Sequence, residues 1–174
     1  MDVRPEIRMD ERSIDEVHAL AFPNGGPSEV AMVHELRDSP AFLPELSLVA
    51  VEGGVIVGHI LVTLVHYVPD DRSFDETPVL SLAPLAVRPS HQDQGIGGRL
   101  VDVALRRASL RPEPFMVVLG HPSYYPRFGF RRADELGIRC PFPGASDGAY
   151  MVRRLPGFRP VATPGTVRYY SPET

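Results

Sequence analysis

A short glycine-rich segment between an apolar run and an amphipathic run has the composition of an anion-binding turn. The segment is Gln92-Asp93-Gln94-Gly95-Ile96-Gly97-Gly98, and its last residues open a predicted helix. Each glycine inside a helix costs about 1 kcal/mol relative to alanine, so a run of glycines needs a compensating reason. Small residues leave the N–H groups of a helix start uncovered, and these groups bind phosphate with the help of the helix dipole. We therefore expect a phosphate group to bind at residues 92–98.

Several phosphate-binding patterns compete for this segment. A P-loop needs Gly-Lys-Ser/Thr, and all 18 basic residues of this chain are arginine. A dinucleotide-binding fingerprint needs a glycine where Leu100 stands. The remaining pattern, Gln/Arg-x-x-Gly-x-Gly/Ala, is met by Gln92, Gly95 and Gly97. A tight strand-to-helix joint without a ligand would use the same glycines, so the segment alone does not separate a binding site from a joint.

The element before this turn is an apolar run from Val79 to Val87. It shows no alternation of polar and apolar residues, which predicts a strand covered by helices on both faces. Pro84 lies inside the run and has no N–H to donate. We therefore expect the strand to bulge or to part from a neighbouring strand there, which frees nearby backbone groups for a ligand.

A second motif covers residues 120–130, with the sequence Gly-His-Pro-Ser-Tyr-Tyr-Pro-Arg-Phe-Gly-Phe. We predict a short helix over Ser123–Arg127 and a chain turn at Gly129 into the next strand. A tyrosine hydroxyl has a pKa of about 10 and can serve as a general acid. From its position alone, the ring of Tyr125 could equally pack beneath the adjacent strand.

Both motifs resemble those of the GNAT-type N-acetyltransferases, in particular a bacterial subgroup of predicted acetyltransferases. Residues 84–100 resemble the family's strand end and pyrophosphate loop, and Tyr125 stands four residues before Gly129 as in family members. The resemblance spans residues 3–155 and implies an α/β fold. In this fold a mixed, twisted sheet carries helices on both faces and has a V-shaped split between its two central strands. Residues 156–174 are expected to be a C-terminal extension packed on the same domain with a short strand.

The resemblance also implies acetyl-CoA as co-substrate and no metal. The pyrophosphate would sit on the N–H groups of residues 94–98, and the pantetheine arm would pair with the backbone near Pro84. An N–H group close to Leu85 would stabilise the oxyanion, and Tyr125 would be the general acid for the departing thiolate. The implied cofactor-binding residues are Leu85, Ala86, Val87, Gln92, Asp93, Gln94, Gly95, Ile96, Gly97 and Gly98.

The implied reaction is acetyl transfer to a primary amine of a small molecule or a protein, by direct attack in a ternary complex. Two alternatives remain, namely a catalytically idle acyl-CoA-binding or regulatory module on the same fold and a purely structural interaction domain. The general base is not assigned. Its candidates are Glu52, His59, Ser81, His91 and His121.

The sequence also predicts the order of the elements around the two motifs. Asp10 is a suitable N-cap for the first helix, and Gly53-Gly54 indicates a hairpin turn. The predicted strands are Val3–Arg8, Leu46–Val51, Val55–Tyr67, Val79–Val87, Phe115–Leu119, Ala149–Leu155 and Gly165–Tyr170. The predicted helices are Glu11–Phe22, Ser28–Arg37 and Gly95–Ser109.

Composition limits the function classes further. The net charge of −4 argues against a general nucleic-acid or anionic-membrane binder. One cysteine, Cys140, excludes an intramolecular disulfide framework. The sequence shows no targeting segment and no membrane-length apolar run, so we expect a cytoplasmic protein, monomeric or homodimeric. The acidic segment Asp70–Glu76 could attract a cationic acceptor, although such segments are usually just solvated.

Overall fold

The computed structural model of the chain describes residues 1–71, 75–159 and 164–170. Four 3-10 turns are described, at Arg8–Asp10, Pro89–His91, Tyr125–Phe128 and Asp134–Leu136. The described helices are α1 (Glu11–Ala21), α2 (Gly26–Arg37) and α3 (Ile96–Ala108). The described strands are β1 (Asp2–Pro5), β2 (Phe42–Glu52), β3 (Val55–Pro69), β4 (Thr77–Val87), β5 (Phe115–Leu119), β6 (Arg131–Arg132), β7 (Ile138–Arg139), β8 (Tyr150–Arg154) and β9 (Gly165–Arg168).

The strands form a mixed sheet. Their order is β1-β2-β3-β4-β5-β8-β6, and β9 pairs with β3 and β7. The β4–β5 and β7–β9 pairs are parallel, whereas β1–β2, β2–β3, β3–β9, β5–β8 and β6–β8 are antiparallel. The α/β class and the mixed sheet predicted from the sequence are therefore present.

The chain divides into two compact units. Unit 1 consists of Met1–Thr63 and Ala83–Ala108, and unit 2 consists of Leu64–Leu82 and Ser109–Thr174. Strands β3 and β4 each contribute residues to both units. Whether residues 3–155 act as one domain with an extension from 156 stays a prediction, and residues 160–163 and 171–174 of that extension lie outside the described part.

In unit 1, helices cover both faces of β3. His59 of β3 contacts His18 of α1, and the neighbouring Gly58 faces Ile96 and Leu100 of α3. Because successive strand residues point to opposite faces, α1 and α3 lie on opposite sides of this strand. Helix α1 turns an apolar face inward, since Ile14 and Val17 are buried with Val33 of α2 in one cluster.

In unit 2, buried side chains of β3, β4, β5 and β8 form one core cluster. Tyr67, Val79, Phe115 and Val152 belong to one buried cluster. Leu80, Ser81 and Leu82 of β4 pair in parallel with Met116, Val117 and Val118 of β5, and the ladder ends with Leu82. The ladder therefore stops before Pro84, as the sequence predicted for a strand interrupted by proline. The Ala83–Pro84 peptide bond is cis.

The structure corrects several predicted element details. Asp10 does not cap α1 with its side chain, because its carboxylate accepts hydrogen bonds from the Ile7 amide at 2.9 Å and from Arg4 at 2.6 Å. Strand β2 begins at Phe42 rather than Leu46, so Pro44 lies inside it, where the ladder with β3 is irregular. The short helix predicted over Ser123–Arg127 is a 3-10 turn over Tyr125–Phe128. No helix in the described part of the chain has the length and apolarity needed to span a bilayer.

Candidate active site

The glycine-rich turn lies in unit 1 between a 3-10 turn and α3. Asp93 and Gly95 both adopt left-handed backbone conformations, with φ angles of 58° and 81°. The side chain of Gln94 donates a hydrogen bond to the Ser90 carbonyl at 3.2 Å, which ties the turn back to its start. Residues 92–95 are exposed, and α3 begins at Ile96, one residue later than predicted. Two left-handed residues, Asp93 and Gly95, separated only by Gln94, explain how the chain reverses so tightly into the helix.

The amide groups at the start of α3 have no hydrogen-bond acceptor among the described residues. The first helical hydrogen bond joins the Arg99 amide to the Gly95 carbonyl at 3.0 Å. Within the described ranges of the chain, no residue accepts a hydrogen bond from the amides of Ile96, Gly97 or Gly98. Gly97 and Gly98 carry no side chain to shield these groups, and both are half-buried. This arrangement can bind a phosphate through backbone N–H groups and the helix dipole.

The end of β4 leads into this turn and has a free edge for hydrogen bonds. The Arg88 amide donates to the Val57 carbonyl of β3 at 2.8 Å. Because backbone groups of successive strand residues point to opposite edges, the amides of Leu85 and Val87 point away from β3. The side-chain amide of Gln92 donates to the Val87 carbonyl at 3.0 Å, which links β4 to the turn. The side chains of Leu85 and Val87 are half-buried and that of Ala86 is buried.

Tyr125 lies in unit 2 within an aromatic group. Its ring makes edge contacts with Tyr124 and Phe130, at centroid distances of 5.1 Å and 5.6 Å. A β-carbon on Gly120 would stand 2.8 Å from its Cδ2 atom, so the ring lies against the Gly120 backbone. The tyrosine is 8% exposed, and among the described residues none bonds to its hydroxyl group. The ring is therefore held by packing while the hydroxyl remains available to a ligand.

Burial raises the pKa of Tyr125 above its usual value of 10.0, and Tyr124 adds a smaller effect in the same direction. The hydroxyl is therefore protonated at neutral pH. A thiol has a pKa of about 8.5, so a full proton transfer from this tyrosine to a thiolate is uphill. The hydroxyl is better suited to stabilise a thiolate by donating a hydrogen bond.

The candidate bases are placed in very different environments. His59 is fully buried, and Ser81 is buried with its hydroxyl 3.4 Å from that of Tyr169. His121 is exposed. Glu52 and His91 approach each other to 3.8 Å, with the Glu52 side chain 49% exposed. None of these placements assigns the base.

A buried polar network in unit 1 was not predicted from the sequence. Nε2 of His18 lies 2.9 Å from Nδ1 of His59, and Nε2 of His59 lies 3.1 Å from the Glu6 carboxylate. Ser47 donates to the same carboxylate at 2.6 Å, and Arg37 donates to it at 2.7 Å. The contacts between the three residues fit two neutral rings in which His59 donates to Glu6 and His18 donates to His59. Nδ1 of His18 is buried and has no hydrogen-bond partner among the described residues.

The pKa values of this network follow from burial and partners. Burial favours a raised pKa for Glu6, but hydrogen bonds from His59, Arg37 and Ser47 outweigh it and lower the pKa to about 2. Burial and the neighbouring His59 lower the pKa of His18 to about 3. Burial also lowers the pKa of His59, although Glu6 opposes this shift. A fully buried neutral histidine is poorly placed to take a proton from a substrate.

In the acidic segment Asp70–Glu76, the carboxylates at both ends are paired with arginines. Asp70 forms a bidentate pair with Arg139, and Glu76 pairs with Arg168. Residues 72–74 of this segment lie outside the described part. Across residues 1–71, 75–159 and 164–170, no cluster of three or more histidine, cysteine or acidic residues is placed to hold a metal ion.

Comparison with known proteins decides the family. Residues 12–130 match the acetyltransferase (GNAT) family, and this range contains both the turn at 92–98 and Tyr125. Over 170 residues the chain is 34% identical to the uncharacterized N-acetyltransferase YjhQ of Escherichia coli K12, with 95% of this chain and 90% of YjhQ covered. The chain belongs to the GNAT acetyltransferase family. The predicted family is thereby confirmed, and the enzyme class predicted with it, N-acetyltransferase, is confirmed as well.

Two solved structures of the GNAT family show the same fold. The N-acetyltransferase YhbS from Escherichia coli, crystallised with CoA, has a TM-score of 0.84 at 29% identity and covers 97% of this chain, which covers 89% of that one. A GNAT acetyltransferase from Brucella melitensis, crystallised with acetyl-CoA, has a TM-score of 0.75 at 28% identity, with coverages of 98% and 96%. The predicted GNAT fold is confirmed. All ten cofactor-binding residues expected from the sequence belong to unit 1, and Tyr125 belongs to unit 2.

Proposed function

We propose that this protein transfers the acetyl group of acetyl-CoA to a primary amine, which attacks directly within a ternary complex. The proposal rests on one observation. The amides of Ile96, Gly97 and Gly98 have no hydrogen-bond acceptor among the described residues, and they directly follow an exposed turn. These groups fit a diphosphate, because backbone donors and a helix dipole act together on negative charge. Both GNAT structures described above contain CoA or acetyl-CoA, which supports the same co-substrate here.

Each stretch of unit 1 has a defined binding role in this proposal. Residues 92–98 bind the pyrophosphate mainly through backbone amides. The outward-pointing amides of Leu85 and Val87 pair with the amide-rich pantetheine arm in the manner of an added strand. Ala86 is buried in β4, and its side chain has no proposed chemical role. Bound acetyl-CoA supplies the thioester, and the Leu85 amide is the donor proposed to polarise its carbonyl.

Tyr125 is proposed to stabilise the leaving thiolate. Its hydroxyl keeps its proton at neutral pH because burial raises its pKa. A preformed donor at the atom where negative charge develops lowers the barrier without reorganisation of water. The acceptor is an amine of a small molecule or of a protein. The chain itself contains no lysine side chain that could be acetylated instead.

Two measurements test the proposal. Calorimetry with acetyl-CoA and with CoA must show saturable binding, and its absence at high micromolar concentrations would overturn the assignment. A thiol-release screen over a library of primary amines must then find at least one acceptor, with Tyr125→Phe as the matched low-activity control. Binding of acetyl-CoA without thiol release for any amine would favour an idle acyl-CoA-binding module instead.

A further inference from the structure

Three arginines line a cavity in unit 2. The cavity has a volume of about 290 Å³. It lies beside β8 and the short strand β6, where Arg131 pairs with Val152. Its lining contains three positive charges and no acidic side chain. The lining residues are Gly129, Arg131, Leu136, Val152, Arg153 and Arg154.

Among the residues that line the cavity, Arg153 has a buried hydrogen-bond donor without a partner in the described part of the chain. Its Nε atom is buried, and among the described residues none accepts a hydrogen bond from it. A β-carbon on Gly129 would stand 2.7 Å from Nη1 of Arg153, so the guanidinium fills the space that this glycine leaves. A buried charged donor without an acceptor is costly, and native proteins nearly always satisfy such groups. The site therefore lacks an acceptor that a ligand would supply.

The neighbouring residues do not provide that acceptor. Arg131 approaches Glu135 only to 3.6 Å, and both side chains are largely exposed, which makes the pair weak. The guanidinium of Arg154 lies 4.6 Å from the ring centre of Phe158, and a cation–π contact leaves its N–H edges free. The nearby Asp134 and Asp147 are both hydrogen-bonded to Arg132. Within the described part of unit 2, only Arg131 of the three arginines therefore has an acidic partner, and that pair is long and exposed.

We propose that this cavity binds a small oxyanion, a phosphate or a carboxylate. Arg153 is the buried donor, and Arg131 and Arg154 contact the anion from the exposed side. The planar guanidinium presents paired N–H groups that match two oxygens of either anion. None of the lining residues is among those proposed to hold acetyl-CoA, so the anion site is an additional site that does not depend on the proposed reaction.

The experiment uses the full chain, ¹⁵N-labelled and saturated with CoA so that the phosphate-binding turn of unit 1 is occupied. Sodium phosphate and sodium acetate are added in separate titrations at constant sodium chloride concentration, and the Arg153 Nε–H signal and the amides of Gly129 and Val152 are followed. We expect saturable shifts with at least one anion. Tighter binding of phosphate identifies a tetrahedral ligand, and tighter binding of acetate identifies a carboxylate.

Variants test whether Arg153 is responsible for anion binding in this cavity. Arg153→Met should weaken anion binding by about tenfold or more, as expected for loss of charge-assisted hydrogen bonds. The matched control is Arg12→Met in unit 1, whose side chain is 93% exposed and which should leave the affinity unchanged. If Arg153→Met fails to bind CoA because it does not fold, the double variant R131Q/R154Q takes its place with the same expected loss. Non-saturating shifts with both anions, or unchanged affinity in the variants, would overturn the proposal.

Discussion

The ring of Tyr125 rests on the backbone of Gly120, five residues earlier in the chain. A β-carbon on Gly120 would stand 2.8 Å from Cδ2 of the ring, which is closer than any real contact of that kind. The Gly120 amide donates to the Ala149 carbonyl at 2.9 Å, so this backbone is fixed against the segment before β8. The glycine that opens the second motif thus serves to hold the tyrosine in place.

Gly120→Ala should displace the Tyr125 ring. We expect a loss of about 1–3 kcal/mol in the free energy of unfolding, typical of overpacking, together with lower turnover. Urea unfolding and thiol release measure the two effects. Pro122→Ala, an exposed change in the same segment, is the control and should alter neither. A fully active and equally stable Gly120→Ala protein would contradict this contact.

Tyr125→Phe should separate chemistry from binding. The ring and its packing remain, and the hydroxyl has no hydrogen-bond partner to lose among the described residues. We expect turnover to fall by roughly 10²-fold or more with CoA affinity unchanged. Steady-state kinetics and calorimetry provide the two readouts, with Tyr124→Phe as the neighbouring control. Equal turnover in the variant and the parent protein would remove Tyr125 from the mechanism.

Gly95 and Gly54 offer a matched pair of variants that test the proposed phosphate-binding turn. Both have a φ angle of 81°, and an added β-carbon would meet nothing within 4 Å at either position. Alanine at either site should therefore cost a similar 1–2 kcal/mol, roughly the penalty of a left-handed residue. Only Gly95→Ala should weaken CoA binding, because only Gly95 positions the amides of α3. Calorimetry on both variants tests this, and equal CoA affinities would contradict the role of the turn.

The buried pair of His18 and His59 predicts a loss of stability in mild acid. The pKa of His18 is about 3 in the folded chain and 6.5 when unfolded, so only the unfolded state takes up its proton between these values. Stability is therefore complete above pH 6.5 and falls as the pH decreases towards 3, by about 1.4 kcal/mol per pH unit for this group. The lowered pKa of His59 acts in the same direction.

Urea unfolding at pH 7 and pH 5 measures this slope. His18→Gln should be less stable at pH 7 but should show a smaller decrease between the two pH values. His121→Gln, which changes an exposed histidine, should keep the full decrease. Glu6 contributes only in stronger acid, because its pKa changes from 4.5 to about 2 on folding. An identical pH dependence in His18→Gln would contradict the burial argument.

The sequence predicted the parts of the fold that rest on local patterns. The apolar run ending at Val87, the turn at Gly95 and the left-handed Gly129 each follow from residue types within one segment. Strand β5 was predicted with its observed bounds, because a short apolar run between prolines and glycine allows few alternatives. These local signals were enough to propose a candidate site, whose residues stay a prediction.

Long-range contacts were not predictable in the same way. His59 and Glu6 are 53 residues apart, and only the pairing of β1, β2 and β3 brings them together. Strands β6 and β7 have two residues each, which is too short for any periodicity to show. Asp10 had the residue type of a helix cap, but the competing pair with Arg4 occupies its carboxylate.

Because Gly58 has no side chain, the start of α3 can pack closely against the sheet. A β-carbon there would lie 3.0 Å from Leu100, 3.2 Å from Ile96 and 3.2 Å from the Ala86 carbonyl oxygen. A methyl group at this position would press on the helix tip and on β4 at once, although it would touch no ligand. In a saturating mutational scan scored by acyl-group transfer, Gly58 should thus be as intolerant of replacement as the residues proposed to bind the diphosphate. It would stand out in such a scan as a sensitive position that contacts no substrate.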